Sequence, residues 1–516
     1  MGEKRRKIGT VETAGTVHPV GTLVSDEKIM AKDNRKYFQR KNFISLIILL
    51  IAGVVTFSPI LENGFTNWDD QAQLLDNPLV REFSVRNLGK IFTTPVVSEY
   101  HPLVTAIFSL EYHLFGPNPL PFHLHSLVLH LLNGCLVFFL FSRLSDKFTV
   151  ALVGSLLFLV HPFQVQAVAW ISARKDLIFT LFFLLSLLSF FQYKDRKKMF
   201  YYFLSFLLFI SAVLSKTLAV TFPVVIVLWL LVFHRPLRKK DWFSLIPYLA
   251  VSLAVGIVAL AMQTVRGPGS AAHLDFLFEN VILLFRNLNF YIVRILFPLK
   301  LSPIYLFPDQ PTLRCVQVWP SVLLLLILAV WFRKWREERN NILWGSGFFL
   351  ITIFMVLRFI PFAGIEVTAN RFVYLPSIGL FYLAGCGFYD LSKKARGSKI
   401  VLPVLWGCAI MIIISLVSLT NNRCHIWRNS ESLWTEAIRT QEESDLLYHM
   451  LADSRFRTGR YIETIELCDK AIALNPAMAY SYLLKSRAQS SLGRQVAAAE
   501  TREQYNQVLL RLGIIE

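Results

Sequence analysis

Long apolar segments recur along the first 420 residues, and short polar or charged stretches separate them. A helix needs roughly 20 apolar residues to cross the hydrocarbon core of a bilayer. The segments that predict transmembrane helices are 43–61, 124–142, 148–163, 177–193, 199–214, 218–233, 243–262, 316–332, 342–360, 372–389 and 400–420. The pattern therefore predicts an all-α fold, a polytopic membrane helix bundle of about eleven spans.

One further apolar segment, 281–299, does not predict a span. It contains Arg286 and Arg294 together with two asparagines. Charged side chains near the bilayer centre are costly. We therefore predict an interfacial or re-entrant helix here, which also keeps the basic cluster 333–339 on the same side of the membrane as the other basic loops.

The composition agrees with a membrane protein, because 54% of the residues are hydrophobic and only 17% are charged. Soluble domains carry about 25% charged residues, so a soluble or disordered chain is excluded. The net charge of +18 first suggests a nucleic-acid partner. However, 28 basic and 10 acidic residues lie in six segments that alternate with the spans, namely 1–42, 143–147, 194–198, 235–241, 333–339 and 393–399.

Positive charge collects in the cytoplasmic loops of membrane proteins. Placing all six segments in the cytoplasm gives a cytoplasmic N-terminus and an extracytoplasmic C-terminus, and it leaves no basic face for nucleic acid. The long charged N-terminal tail and the lack of a retention signal favour a bacterial inner membrane. We therefore expect a multi-pass membrane protein whose C-terminal residues are periplasmic or extracellular.

Three domains follow from this organisation: a cytoplasmic basic tail (1–42), a membrane domain (43–424) whose extracytoplasmic loop is 62–123, and a polar C-terminal domain (425–516). In the last domain, Gly459-Arg460 recurs 34 positions later as Gly493-Arg494. This period is typical of tetratricopeptide repeats, so we predict a helical repeat stub that docks on the membrane or on a protein partner. An unrelated helical hairpin is the alternative.

Two adjacent carboxylates, Asp69 and Asp70, follow the first predicted span closely. Aspartates at the boundary of the bilayer are placed to act as a general base or to hold a metal ion. The structural alternative is that one of them caps a short loop helix. The spacing of His123, His125 and His130 does not match a metal site, and we expect no metal.

Several cations fall on the same predicted side of the membrane as these aspartates. Arg174-Lys175-Asp176 begins a span and suits phosphate binding, with Asp176 orienting a neighbouring cation; interfacial anchoring of the Arg and Lys is the alternative. Two further cations, Lys216 and Arg371, are predicted on this side, and so is the carboxylate Asp309. A carboxylate base and several cations at one membrane face suit transfer from a lipid-linked phosphate donor.

These motifs resemble the transmembrane and tetratricopeptide-repeat O-mannosyltransferases and their bacterial relatives, within the C-type superfamily of polyprenyl-phosphate-sugar glycosyltransferases. The resemblance covers most of the chain from about Gly64. Its landmarks are Trp68-Asp69-Asp70 with Asn77-Pro78, His161-Pro162 with Trp170 and Arg174-Lys175-Asp176, Ser215-Lys216, Asn289-Phe290-Tyr291 with Tyr305, Arg371 with Tyr374-Leu375-Pro376, and Trp427-Arg428 with Leu433-Trp434.

The resemblance implies an inverting hexosyltransferase that passes a mannose-like sugar from a polyprenyl-phosphate donor to a protein Ser/Thr or glycan hydroxyl outside the cytoplasm. It implies that Asp69 and Asp70 supply the catalytic base, with no metal or other cofactor. We assign donor phosphate binding to Arg174, Lys175, Lys216 and Arg371. Supporting roles are assigned to His101, His161, Asp176 and Tyr374.

Three positions depart from the family pattern. Gln166 and Asn370 stand where acidic residues are common, and His101 stands where an arginine is frequent. The departures leave open altered donor choice, a metal-independent site, or a catalytically inactive membrane-anchored repeat scaffold for envelope or glycan assembly. We expect deletion of 425–516 to separate an enzyme from a scaffold, since a scaffold would lose its partner whereas an enzyme would keep some transfer to small acceptors. A transporter is disfavoured because the sequence shows no matching pair of interrupted spans.

Overall fold

The computed structural model describes residues 42–96, 99–234, 236–264, 274–306, 319, 323, 339–357 and 366–514, with the backbone alone for 259–264 and 274–279. Asp309, nearly all of the predicted tail 1–42 and most of the predicted span 316–332 lie outside these residues. The chain divides into two units, Met1–Ile48 and Leu49–Glu516. The first turns of the first helix belong to the first unit, and the rest of the described chain belongs to the second.

The described residues are mostly helical, which confirms the predicted all-α class. In the predicted membrane domain the helices are α1 Asn42–Glu62, α2 Pro78–Arg81, α3 Val85–Ile91, α4 Pro102–Phe115, α5 Pro119–Ser145, α6 Phe148–Val160, α7 Val165–Ala169, α8 Arg174–Arg196, α9 Met199–Ser215, α10 Phe222–Phe233, α11 Lys239–Thr264, α12 Leu274–Leu296, α13 Arg339–Ile353, α14 Ser377–Ala395 and α15 Val401–Cys424. Two short strands, β1 Tyr305–Leu306 and β2 Glu366–Thr368, pair antiparallel.

Five helical segments of the described chain are long and apolar enough to cross a bilayer, namely Asn42–Glu62, Pro119–Ser145, Ile171–Arg196, Lys239–Val258 and Val401–Trp427. A sixth is added if α6 and the segment Pro162–Ala169, which meet at a 49° bend, form one broken span. Met199–Ser215 and Thr217–Phe233 are shorter apolar helices. Several predicted spans are therefore present as apolar helices, while the number eleven and the interfacial position of 281–299 stay predictions.

Glycines bring α13 and α14 into backbone contact. A Cβ atom on Gly379 would lie 2.3 Å from the carbonyl oxygen of Gly345, so only glycine fits there. Close approach through small residues is a common way for membrane helices to pack. It fixes the start of α14, and with it the preceding turn Asn370–Val373 that carries Arg371.

The C-terminal residues form five helices that pack as successive neighbours: α16 Ser430–Thr440, α17 Asp445–Arg457, α18 Tyr461–Leu474, α19 Ala479–Ser491 and α20 Gln495–Arg511. The starts of α17 and α19 are 34 positions apart, as are those of α18 and α20. Gly459 and Gly493 turn each hairpin with φ of +77° and +76°, which glycine adopts without steric cost. The predicted period is therefore visible in the helix boundaries, and the tetratricopeptide assignment itself stays a prediction.

Candidate active site

Asp70 is fully buried, and all its hydrogen bonds hold the loop together. Its Oδ2 atom accepts from the Thr66 amide at 2.9 Å and the Thr66 hydroxyl at 3.0 Å, and its Oδ1 atom accepts from the Ser172 amide at 3.0 Å and the Ser172 hydroxyl. It makes no capping bond to the turn Gln71–Leu75 that follows it. Burial raises the pKa of Asp70, and the four bonds oppose that rise. The carboxylate fastens the loop to the turn before α8, so its geometry fits neither helix capping nor the predicted role as a base.

Asp69 differs from Asp70 in its exposure and in its hydrogen bonding. Its side chain is partly exposed and makes no hydrogen bond within the described part of the chain. Burial raises the pKa of Asp69 to about 6, although the nearby cations Lys175 and Arg371 oppose the rise. Such a carboxylate is ionised at neutral pH yet holds a proton more tightly than a free aspartate, which suits a general base.

Two of the predicted phosphate-binding cations, Lys175 and Arg371, lie near Asp69, and Lys216 lies near both of them. Each of the three cations forms an ion pair. The pairs are Lys175 with Glu99, Lys216 with Asp176 at 2.5 Å, and Arg371 with Glu366 at 2.6 Å. Asp176 therefore lies where it orients a neighbouring cation. Burial lowers the pKa of Lys216, Asp176 opposes this change, and the charges of Lys175 and Arg371 add to it. The cations thus lie close enough to form one electrostatic group.

Several buried polar atoms around this group have no hydrogen-bond partner among the described residues. They are Nε and Nη1 of Arg371, Oδ2 of Asp176, Nε1 of Trp170 and Nε2 of His101. The Arg371 guanidinium lies over the Trp170 ring, 5.0 Å from its centroid. An unpaired buried polar group costs about 1–3 kcal/mol, and native proteins leave few of them. We interpret these atoms as the lining of a site whose ligand supplies the missing partners.

Arg174, the fourth predicted phosphate-binding cation, occupies a different environment. It is fully buried, and all three guanidinium nitrogens have partners. Nη1 pairs with Glu111, Nη2 donates to the Phe122 carbonyl at 2.5 Å, and Nε donates to the Ser126 hydroxyl at 3.1 Å. His125 contacts the same Glu111 carboxylate. The position does not fit phosphate binding, because every guanidinium nitrogen of Arg174 is already bonded within the protein.

His101 borders the site. Its Nδ1 atom hydrogen-bonds the Thr105 hydroxyl at 3.2 Å, and its Nε2 atom lies 3.7 Å from Glu99. Burial and the charge of Lys175 lower the pKa of His101 to about 4, so the ring is neutral at pH 7. A neutral imidazole places one N–H or one lone pair beside the cations without adding charge.

The other two supporting residues stabilise the helices beneath the site. The His161 Nε2 atom donates to the Ile295 carbonyl at 3.0 Å, and its Nδ1 atom accepts from the Phe163 amide at 3.2 Å, which holds the bend after α6. The Tyr374 hydroxyl hydrogen-bonds His130 Nδ1 at 2.7 Å. Both side chains are buried and point to packing roles.

Two of the three departures from the family pattern, Gln166 and Asn370, have a common structural role. Gln166 Nε2 donates to the Pro303 carbonyl at 3.1 Å, and Asn370 Nδ2 donates to the Ser302 carbonyl at 2.8 Å. Gln166 Oε1 also accepts from the Arg371 amide at 2.9 Å. An ionised carboxylate has no N–H to donate, so neither donor bond survives with an acidic residue. The amides tie segment 302–303 to the turn that carries Arg371.

Three carboxylates that pair with the cations, Glu99, Glu111 and Glu366, were not among the predicted site residues. Glu99 lies 76 positions from Lys175, and Glu111 lies 63 positions from Arg174, so no local spacing connects either pair. Glu366 is only five residues before Arg371, but it lies outside the motifs. One signal was present: a buried cation needs a partner, and few carboxylates occur in the predicted outer loops. Glu99, Glu111 and Glu366 are all among those few carboxylates.

The histidines of α5 are engaged in contacts of their own. His125 contacts Glu111, and His130 hydrogen-bonds Tyr374 and the Leu159 carbonyl. Over the part of the chain that the structure describes, no group of three or more His, Cys, Asp or Glu side chains is arranged to hold a metal ion. Metal-free chemistry stays a prediction.

Comparison with known proteins gives several matches. Residues 99–262 match the family model described as dolichyl-phosphate-mannose-protein mannosyltransferase. A protein O-mannosyl-transferase of Caenorhabditis elegans is 24% identical over 424 residues, which cover 76% of this chain and 57% of the relative. Human protein O-mannosyl-transferase TMTC3 is 22% identical over 529 residues, covering 88% and 54%.

One solved structure is also similar, that of ArnT from Cupriavidus metallidurans bound to undecaprenyl phosphate. It has a TM-score of 0.40 and 14% sequence identity, and the alignment covers 87% of this chain and 78% of that chain. The chain spans a little over half the length of the worm and human relatives. The resemblance predicted from the sequence landmarks is confirmed by the family model and the animal sequences: this chain is similar to protein O-mannosyl-transferases.

Proposed function

We propose that this chain is a membrane glycosyltransferase that moves a mannose-like sugar from a polyprenyl-phosphate donor to a protein Ser/Thr or glycan hydroxyl on the extracytoplasmic side, in a bacterial inner membrane. The observation that carries the proposal is the environment of Asp69, an unbonded carboxylate whose pKa is raised to about 6 and which lies near Lys175 and Arg371, with Lys216 close to both cations. The names of the relatives support this class of reaction.

Asp69 acts as the general base. Its carboxylate accepts the proton of the acceptor hydroxyl while the hydroxyl oxygen attacks the anomeric carbon of the donor sugar. The bond between that carbon and the phosphate oxygen breaks, and its electron pair leaves with the lipid phosphate. A single displacement of this kind inverts the anomeric configuration and needs one carboxylate on the attacking side, which agrees with the structural engagement of Asp70.

Arg371, Lys216 and Lys175 stabilise the negative charge that develops on the leaving phosphate. Arg371 is best suited, because its Nε and Nη1 atoms are buried without partners in the described chain and can each donate a charge-assisted hydrogen bond to a phosphate oxygen. Lys175 becomes available most easily, since the side chain of its partner Glu99 is 54% exposed and can turn into water. Arg174 has no part in this step.

A catalytically inactive scaffold is the second candidate. The observation in its favour is that each of the three cations is already paired with a carboxylate, so their charge is compensated without a ligand. A phosphate would have to compete with these carboxylates or bind to the remaining N–H groups. The two candidates differ in one measurable respect, which is turnover.

The test is sugar transfer by purified protein in lipid nanodiscs, with polyprenyl-phosphate-mannose as donor and a Ser/Thr-rich peptide or a glycan as acceptor. Wild type, Asp69→Asn and Asp70→Asn are compared, with folding monitored by thermal melting. We expect transfer by wild type and its loss in Asp69→Asn at an unchanged melting temperature. Equal transfer by Asp69→Asn and wild type would exclude Asp69 as the base. Absence of transfer in folded wild type with every acceptor would favour the scaffold.

A further inference from the structure

The C-terminal helices are bonded to the loop that carries Asp69. Two residues before this carboxylate, the Asn67 amide donates to the Ser430 hydroxyl at 2.9 Å. Asn67 Nδ2 donates to the Met450 carbonyl at 3.1 Å and to Asp453 at 2.9 Å. Asn67 Oδ1 accepts from the Trp434 indole N–H at 2.6 Å. Every polar atom of the Asn67 side chain therefore binds α16 or α17.

Aromatic rings strengthen the same contact. The Trp68 ring lies 4.9 Å from the Trp434 ring and 6.4 Å from the Trp170 ring. Trp170 in turn stacks on Trp427 at 5.5 Å, immediately before α16. Because Trp170 also lies beneath the Arg371 guanidinium, these rings connect the C-terminal helices to both the base and a phosphate-binding cation.

Two more bonds fix the ends of this interface. The Gly64 amide donates to the Arg428 carbonyl at 2.8 Å. At the far end of α16, the Thr440 hydroxyl donates to the Ser302 hydroxyl at 2.9 Å, and the Ser302 carbonyl accepts from Asn370. Helix α16 thus spans from the loop of Asp69 to the segment that supports Arg371.

We propose that α16 and α17 form an integral part of this active site and that Asn67 is a positioning residue, which holds Asp69 in place through Ser430, Trp434 and Met450. The interface stands on its own contacts, whereas its effect on catalysis rests on the proposed function. The C-terminal domain is therefore no separable module. Deleting 425–516 removes the support of the base, so that deletion cannot distinguish an enzyme from a scaffold.

Releasing the loop has a defined electrostatic consequence. The groups that face Asp69 are Lys175, Arg371, Glu99 and Asp70, and burial is the largest cause of its raised pKa. A loosened loop exposes Asp69 to water, so its pKa falls from about 6 toward the ordinary aspartate value of about 4. A purely structural weakening elsewhere leaves this value unchanged.

The experiment compares Trp434→Phe, which removes the indole N–H and reduces the ring that packs on Trp68, with Ser430→Ala, which removes only the hydroxyl acceptor. Arg439→Ala is the matched control, because this exposed side chain of α16 bonds only to Glu436 on its own helix. Hydrogen exchange of the backbone amides in 63–70 is measured by mass spectrometry in nanodiscs. We expect faster exchange in both test variants and wild-type exchange in the control. Wild-type protection in both test variants would overturn the interface.

The catalytic effect is read from the pH profile of kcat/KM for sugar transfer. In Ser430→Ala, kcat falls ~2- to 10-fold, as expected for one lost hydrogen bond, while KM for the donor is nearly unchanged. The acidic limb of the profile moves below pH 6. An unmoved limb with faster exchange in 63–70 would show that the interface exists without positioning Asp69. If folded wild type shows no transfer, the proposed function fails, and hydrogen exchange still decides whether the interface forms.

Discussion

The charged side chains around the adjacent residues Asp69 and Asp70 form two groups. The groups differ in how many of their polar atoms have a bonding partner. The inner group contains Asp70, Arg174 and Glu111, whose partners are all within the protein. The outer group surrounds Asp69 and Arg371, where the carboxylate has no bond and two guanidinium nitrogens have no partner within the described chain.

The difference shows that residue type and sequence position do not separate fully bonded charges from charges with unused bonding capacity here. Asp69 and Asp70 are adjacent, and so are Arg174 and Lys175, yet each pair divides between the two groups. A fully bonded buried charge stabilises one conformation. A charge with unused bonding capacity can bind a ligand or accept a proton, so unsatisfied polar atoms identify the site better than the motif does.

The largest expected effect comes from exchanging each aspartate for asparagine. Asp69→Asn should lower kcat/KM ~10²- to 10⁴-fold, the usual contribution of a general base, with an unchanged melting temperature. Asp70→Asn should instead lower the free energy of unfolding by about 1–3 kcal/mol, because an amide N–H then faces the donors of Thr66 or Ser172. Transfer assays and thermal melts of both variants check this, and the reverse pattern would exchange the two assignments.

Arginine-to-lysine changes test the same division among the cations. Arg371→Lys keeps the charge beside Glu366 but loses the N–H groups of the unpartnered Nε and Nη1 atoms, so KM for the donor should rise ~10- to 100-fold at nearly constant stability. Arg174→Lys should lower the melting temperature and leave KM unchanged, because it loses bonds to Phe122 and Ser126 only. A rise in KM for Arg174→Lys alone would restore its predicted role in phosphate binding.

The pH dependence of transfer sharpens the assignment of the base. Asp69 must be deprotonated to accept a proton, and its pKa is raised to about 6. We therefore expect log(kcat/KM) to fall about one unit per pH unit below pH 6 and to be flat above it until another group titrates. A limb near pH 4 would mean that the base has an ordinary carboxylate pKa, as an exposed Asp69 would.

The sequence predicted the helical class, the C-terminal period and most of the residues that converge at the site. Apolar length and the recurring Gly459 and Gly493 are local signals, since helices and turns form from neighbouring residues. The division between Asp69 and Asp70 was not predictable, because it depends on Ser172, which lies 102 positions away. The same holds for Asn67, whose partners Ser430 and others are more than 360 positions distant.

The smallest expected effect concerns Glu99, the exposed carboxylate of the outer group. Glu99→Gln releases Lys175 from its ion pair, so KM for the donor should fall about threefold, the scale of a half-exposed ion pair. The charge of Glu99 also raises the pKa of Asp69, so the acidic limb should move slightly downward in this variant. The matched control is Glu62→Gln, an exposed carboxylate at the end of α1, which should change neither value. A higher donor KM in Glu99→Gln would mean that this carboxylate binds substrate rather than competing with the phosphate for Lys175.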